Sequence, residues 1–381
     1  MASRNDGSRQ PGSRILRPAS DSTPEPKPGA QCASSARWDL CGGPPEPTGE
    51  GRSLPRPFGH VRQLDRVLAE TLARAWAAGA GPGDRQLVVD VDSFVGEVYG
   101  YDKQRAGYGY TRKRGYHPIV ATRAGTGEVL HIRARKGSAN TSRGALRFVE
   151  ELIPRLARAG AIGPKLLRAD SGFWNGKIMA CLQRAGWTYS IGVRQQPHIK
   201  AAITGIPEQD WQPLDDYPAG GEAQIAQTML GSQRLIVRRT RLLGAQAELW
   251  PEWRHHAFVT NRTDPLEQVE AEHRQHAVIE LAIRDLKDQA LAHFPSGKFL
   301  ANAAWTVIGA LAHNLLRWTT MIGLPDTVIP TARTIRRRLL TVPGRITRTS
   351  RRVTLRMPAR WPWALAFLTA LQRLRAIPPR T

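Results

Sequence analysis

Three stretches of this chain carry carboxylates where a fold can use them. "RQLVVDVDSF" sets Asp90 and Asp92 two residues apart in an apolar run, and "PKLLRADSGF" ends a second run in Asp170. "AEHRQHAVIELAIRDLKDQ" holds Glu280 with His273, His276 and Lys287. On a regular helix at about 100° per residue, counted from Ile279, these four fall between about 60° and 120°, a narrow polar stripe beside the apolar Ile279, Ile283 and Leu286. Three hard oxygen ligands with open positions suit Mg²⁺ or Mn²⁺. Two such ions roughly 4 Å apart stabilise the entering and leaving oxygens of an in-line phosphoryl displacement. Either Asp90 or Asp92 can be the first ligand, since both lie on one strand face. The two histidines and Glu280 also have the residue types for zinc, but no HExxH order or matching cysteine accompanies them.

Such a site needs strand ends side by side and a helix across them. Val61, Leu64, Val67, Leu68 and Leu72 mark a first helix that ends at the glycines after Ala78. The Asp90/Asp92 strand follows, then the Gly- and Tyr-rich "VYGYDKQRAGYGYTRKRGYHP". "IVATRAG" and "GEVLHIRARKG" are strands joined by a Thr-Gly turn, a hairpin signal. A helix over residues 142–159, the Asp170 strand, the helix in "WNGKIMACLQRAG" and the strand "WTYSIGVR" complete an α/β order that fits a mixed five-stranded sheet flanked by helices. Residues 197–263 read as a β-rich insertion before the Glu280 helix. The apolar run Phe299–Trp318, interrupted by Asn302, His313 and Asn314, reads as a core helix rather than a membrane span.

The chain's 55 Lys and Arg against 32 Asp and Glu leave a net charge of +23, which calls for a polyanionic partner, most simply nucleic acid. Residues 331–381 contain thirteen Arg and no acid, with Arg336, Arg337 and Arg338 adjacent and a hairpin pattern around "GRITRTSRRVTLRMP". Residues 1–58 hold 25 Pro, Gly or Ser without periodicity and read as disordered. Cys32, Cys41 and Cys181 are odd in number and lack metal-ligand spacing, which predicts reduced thiols and a cytoplasmic protein. No signal-peptide order is present at the N-terminus, and no membrane partner is expected.

From residue 58 onward these pieces, in order, resemble the insertion-sequence transposases of the DDE class, which have an RNase H-like core. The likeness rests on "DVDSF", "GYHPIVATRAGTGEVLHIRARKGSANTSRGALRFVEELI", "RADSGFW" and the late helix. There the family pattern is Tyr, two residues, Arg, three residues, Glu, six residues, Lys. Glu280 and Lys287 match it, and His273 and His276 stand at the Tyr and Arg positions.

The resemblance implies an RNase H-like DDE catalytic domain over 59–330 with its β-rich insertion at about 197–263, and an Arg-rich DNA-binding extension over 331–381. It implies Asp92, Asp170 and Glu280 as catalytic metal ligands, Asp92 being preferred to Asp90 because a small residue follows the family's aspartate. Lys287, His276, His273, Arg336, Arg337 and Arg338 are then expected on DNA phosphates. The implied activity is cut-and-paste transposition of double-stranded element ends into target DNA, by a homodimer on the DNA. Such enzymes usually begin with a helix-turn-helix, and residues 1–58 contain none, so an N-terminally truncated copy is expected. An inactive DNA-binding remnant and a stand-alone RNase H-fold nuclease are the competing readings.

Overall fold

In the computed structural model, which describes residues 57–378 apart from 110, 216, 218, 219, 244–251, 343, 350, 351 and 359, the run "LVVDVDS" is β1 (Leu87–Ser93). The expected disorder of the N-terminus, the absence of a helix-turn-helix there, and Cys32 and Cys41 lie outside the described residues. Helix α1 (Pro57–Ala75) precedes β1 and ends in a π turn, Trp76–Ala80, where Gly79 takes φ 102°. After β1 come β2 (Gly96–Glu97), β3 (Gly107–Tyr108), β4 (Arg114–Tyr116), β5 (Ile119–Arg123) and β6 (Val129–Arg133). Next are α2 (Ala145–Arg158), β7 (Lys165–Ala169), α3 (Gly176–Arg184), β8 (Thr188–Gly192) and α4 (Pro197–Thr204).

The insertion continues with β9 (Gln212–Leu214), β10 (Gly221–Leu230), β11 (Gln233–Leu242) and β12 (Arg254–Thr260). Helices α5 (Leu266–Arg274), α6 (Ile279–Lys287), α7 (Phe299–Gly323) and α8 (Ala332–Ile335) follow. The ribbon β13 (Arg345–Thr349) and β14 (Arg352–Arg356) and helix α9 (Ala364–Arg375) end the described chain.

The large sheet has the order β6-β5-β1-β7-β8-β12-β11-β10-β9. Its first five strands run parallel through β1, β7 and β8 and antiparallel at β5, so the middle strand is also the first. This is the RNase H-like arrangement. The expected five strands grow to nine because β12 pairs antiparallel with β8, Phe258 opposite Gly192, and the insertion extends the sheet.

Strand alternation sorts the two faces. Leu87, Val89 and Val91 point toward a core shared with Phe148, Leu152 and Leu156 of α2 and Ile178 and Leu182 of α3. The opposite face carries Val120, Val129 and Ile132 against Leu68 of α1, Ile279, Ile283 and Leu286 of α6, and Val307 and Ala310 of α7. Asp90 and Asp92 share that second face with Val120, which is paired with Asp92.

Helix α7 is long and apolar enough to cross a membrane by length and composition, but here it packs against α1, β6 and α9. From α7, Asn314 closes the edge strand β6: its Oδ1 accepts from Val129 N–H and its Nδ2 donates to the Val129 carbonyl, both at 2.7 Å. At the far edge, β9 is three residues long with Pro213 in its middle.

The stretch read as one helix is broken. Between α5 and α6, Gln275–Val278 form a 3₁₀ turn, which rotates about 20° more per residue than an α-helix, so the expected single stripe does not persist. Helix α5 docks on the insertion through Glu270 with Arg238 at 2.9 Å and Glu272 with Arg262 at 2.6 Å. Helix α6 docks on the core. The described tail is likewise part of the body: Ala370 of α9 abuts Gly323, where any added Cβ would lie 2.7 Å from the Ala370 Cβ. Cys181 is a free thiol whose pKa burial pushes up.

Candidate active site

Parallel pairing of β1 with β7 sets Val91 beside Ala169, so the next residues, Asp92 and Asp170, leave neighbouring strand ends together. Each is held by its own turn. Asp92 Oδ1 accepts from Ser93 N–H at 2.6 Å, and Asp170 Oδ1 accepts from Gly172 N–H at 3.0 Å as the cap of a short 3₁₀ turn. Glu280 enters from the first turn of α6, the helix that its buried neighbours Ile279 and Ile283 fasten onto the same sheet face. Asp170 and Glu280 are exposed and Asp92 is partly buried.

Burial first, then repulsion from Asp170 and Glu280, pushes the Asp92 carboxyl up to about 6; Ser93 N–H and His276 pull the other way without balancing them. The three carboxylates therefore feel one another. They are not drawn into a cage: among the described residues no three Asp, Glu, His or Cys groups stand at coordinating spacing. The two findings are compatible, because Coulomb forces reach several ångströms beyond a coordination bond. The donor set fits a hard divalent cation: three oxygen ligands whose mutual repulsion a cation would relieve.

Asp90 is a different kind of residue. It is 1% exposed and its carboxylate is gripped by Arg168, Nε to Oδ1 at 2.7 Å and NH2 to Oδ2 at 2.8 Å, with His276 Nδ1 at 3.0 Å from Oδ1. Arg168 also donates to the carbonyl of Glu272. Asp90 thus neutralises a buried guanidinium and ties β1, β7 and the α5 region together, which leaves Asp92 as the carboxylate open to other partners.

The two histidines divide. His276 is partly buried beside the carboxylates through Asp90. His273 is turned inward rather than toward phosphate: its ring stacks on Phe258 at 3.9 Å and 14°, and its Nδ1 lies 2.7 Å from Ser190 Oγ. Burial, with His276 and Arg168 nearby, pushes it down to about 3, so it is uncharged at neutral pH. Lys287 sits partly buried two turns after Glu280. Arg336 donates to Gln289 at 2.8 Å, Arg337 is exposed, and Arg338 lies 4.2 Å over the Trp363 ring.

Four supporting residues escaped the sequence reading: Arg168, Ser93, His117 and Thr141. His117 is 1% exposed, and its Nδ1 donates to the Ala139 carbonyl. That leaves the neutral ring's Nε2 to accept from Ser93 Oγ at 3.0 Å. Ser93 Oγ is also 3.4 Å from Thr141 Oγ1, and Thr141 packs on Gly172 of the Asp170 turn. These links brace the Asp92 and Asp170 turns against one another. Arg168 had a signal: a cation inside the apolar "LLRA" needs a buried acid.

A family profile described as "Transposase DDE domain group 1" matches residues 52–379. No curated protein is found to match. Among solved structures, the chain is similar to the piggyBac transposase in a cryo-EM synaptic complex with hairpin DNA, at 13% identity and a TM-score of 0.46. The alignment covers 67% of this chain and 51% of that one, so this chain spans about half the length of its structural relative.

Proposed function

We propose, from the premise that this chain belongs to the transposase DDE domain group 1 family, that it is a DNA transposase: it hydrolyses a phosphodiester at the end of a mobile element and transfers the freed 3′-hydroxyl to DNA. The observation that carries this reading is geometric: Asp92 and Asp170 leave neighbouring parallel strand ends, Val91 beside Ala169, and Glu280 stands in the first turn of the helix packed on that sheet face.

Asp92, Asp170 and Glu280 would hold a pair of Mg²⁺ or Mn²⁺ ions. Bound there, such ions would supply Lewis-acid stabilisation of phosphate oxygens and make a bound water easier to deprotonate than bulk water. The chain's own groups do the positioning. Asp90 and Arg168 hold β1 and β7 in register, Ser93 and His117 brace the Asp92 turn, and α6 presents Glu280. His276, beside Asp90, and Lys287, two turns after Glu280, are the DNA phosphate contacts on this side. Arg336, Arg337 and Arg338 extend the basic surface, with Arg337 the most available to phosphate. The partners are double-stranded element ends and target DNA, gripped by a homodimer in the cytoplasm.

The test is nicking of duplex DNA carrying the flanks of the chain's own gene, with Mn²⁺. Asp170→Asn is expected to abolish nicking while leaving DNA affinity within about twofold, since it removes a ligand and not a phosphate contact. Nicking by that variant at the wild-type rate would overturn the assignment.

A further inference from the structure

Five of the seven tyrosines fall between Tyr99 and Tyr116, in the segment that leaves the Asp92 end of β1 and returns as β5. The same stretch holds five Lys or Arg and a single acid, Asp102. Among the four described, Tyr116 alone has an evident packing role. It is 1% exposed, edge-on to Phe294 at 5.2 Å, and its hydroxyl donates to the Gln104 carbonyl at 3.0 Å. Tyr99, Tyr101 and Tyr108 are 85%, 83% and 59% exposed. Three large rings left in water on one protrusion are not explained by folding.

The rings stand on a built base. Strand β4 pairs with both β2 and β3. Lys103 Nζ donates to the carbonyls of Phe294 at 2.6 Å and Ser296 at 3.2 Å. The Arg114 guanidinium donates to the carbonyls of Gly100 and Tyr101 and lies 5.3 Å over the Tyr101 ring. Gly115 and Gly137 let backbones approach so closely that neither site admits a Cβ.

Exposed aromatic faces among cations match a strand with exposed base faces and phosphates. A duplex hides its base faces, and phosphate contact alone needs only Lys and Arg. A second copy of this chain would bring its own +23 charge against the patch, whereas nucleic acid brings the opposite sign. Tyr99 is seven residues beyond Asp92, at most about 25 Å of extended chain, so the patch lies within a few nucleotides of the cut.

We propose that Tyr99, Tyr101 and Tyr108 form a stacking platform for unpaired bases of the DNA strand beside the cleaved bond. The platform rests on the transposase reading above and specifies which form of DNA that site holds.

The experiment uses the full chain in EDTA with a duplex bearing an unpaired tail labelled with 2-aminopurine, and a blunt duplex as control. Wild type is expected to quench the label and to prefer the tailed duplex. The triple variant Tyr99→Leu, Tyr101→Leu, Tyr108→Leu should lose the quenching and about tenfold or more of that preference, with blunt-duplex affinity unchanged. The corresponding triple Phe variant should retain both, because stacking needs the ring and not the hydroxyl. Undiminished quenching and preference in the Leu variant would overturn the platform. So would a Phe variant as impaired as the Leu variant, or a Leu variant that changes only the sedimentation coefficient, which would mark a self-association surface. Wild-type protein that binds both duplexes equally in EDTA, and still nicks in the Mn²⁺ assay above, sinks the platform alone; one that binds neither DNA sinks the transposase reading with it.

Discussion

Asp90 and Asp92 lie one pleat repeat apart, yet substitution should affect them in opposite ways. Asp90→Ala leaves Arg168 buried without its carboxylate and is expected to cost about 3–5 kcal/mol in urea unfolding. Asp92→Asn should stabilise the metal-free protein at pH 7. Its carboxyl is raised to about 6 when folded, so between roughly pH 4 and 6 the folded state keeps a proton that the unfolded chain has released, and stability falls as pH rises through that window. The variant escapes the penalty, about 1–2 kcal/mol once partial exposure of Asp92 is allowed for. A cation relieves the same repulsion. Mn²⁺ at about a hundred times its dissociation constant should therefore raise wild-type stability by about 2.7 kcal/mol, seen as a higher melting temperature, and Asp170→Asn should show much less of the rise. Alternation alone cannot separate the two aspartates, since both point to one face. The deciding fact is Arg168 on β7, paired across the sheet with Asp90 from 78 residues away.

At the scale of elements, the helix carrying Glu280 is two helices with different duties. Helix α5 packs on the insertion, α6 on the core, and the 3₁₀ turn at Gln275–Val278 crosses between them. Helix α6 is tied in turn to the tail, because Asp285 accepts from Ala332 N–H at 3.0 Å and from Arg317 at 3.2 Å. The first five strands of the large sheet and most helices were legible because each carries an apolar run or period. The 3₁₀ turn was not: it contains no Gly or Pro, and its cause is tertiary, two surfaces that α5 and α6 must each match. The strands of the small β2–β4–β3 sheet, two or three residues long, are too short to show a period.

His273, in α5, is read as a polar face residue from spacing alone and is in fact part of the packing. With His131 held at about 4 and His273 and His313 at about 3, all mainly by burial, the unfolded chain binds more protons than the folded one below about pH 6.5. Stability should therefore fall on acidification from pH 6.5 to 4.5, by up to about 2.7 kcal/mol per ring. His273→Phe, which keeps a ring against Phe258, should remove its share of that slope in urea titrations at three pH values. A slope equal to wild type would mean that His273 is already charged when folded.

For the molecule as a whole, charge and packing are less separable in the tail than composition suggests. Deleting 331–381 would strip α9 from α7 and confound weaker DNA binding with a damaged fold. The cleaner change is at the ribbon, where Arg345, Arg348, Arg352 and Arg356 are exposed. Changing all four to Gln should lower the slope of log affinity against log salt by about 0.9 for each phosphate that is no longer neutralised, up to between three and four, with the melting temperature held. An unchanged slope in a binding titration would make the ribbon a solvated surface. The net charge was readable from composition; which arginines are engaged was not, since Arg338 is stacked on Trp363 and Arg239 lies between Trp211 and Trp253, at 4.1 and 4.4 Å from their rings. The sheet's two margins have a consequence for crowding. Asn314 occupies the hydrogen-bonding groups of Val129 on one side, and brevity and Pro213 spoil the other. Copies gathered at high local density on one stretch of DNA thus meet at margins of the large sheet where Val129 is already taken on one side and the outermost strand is three residues long on the other, which disfavours strand-to-strand pairing there.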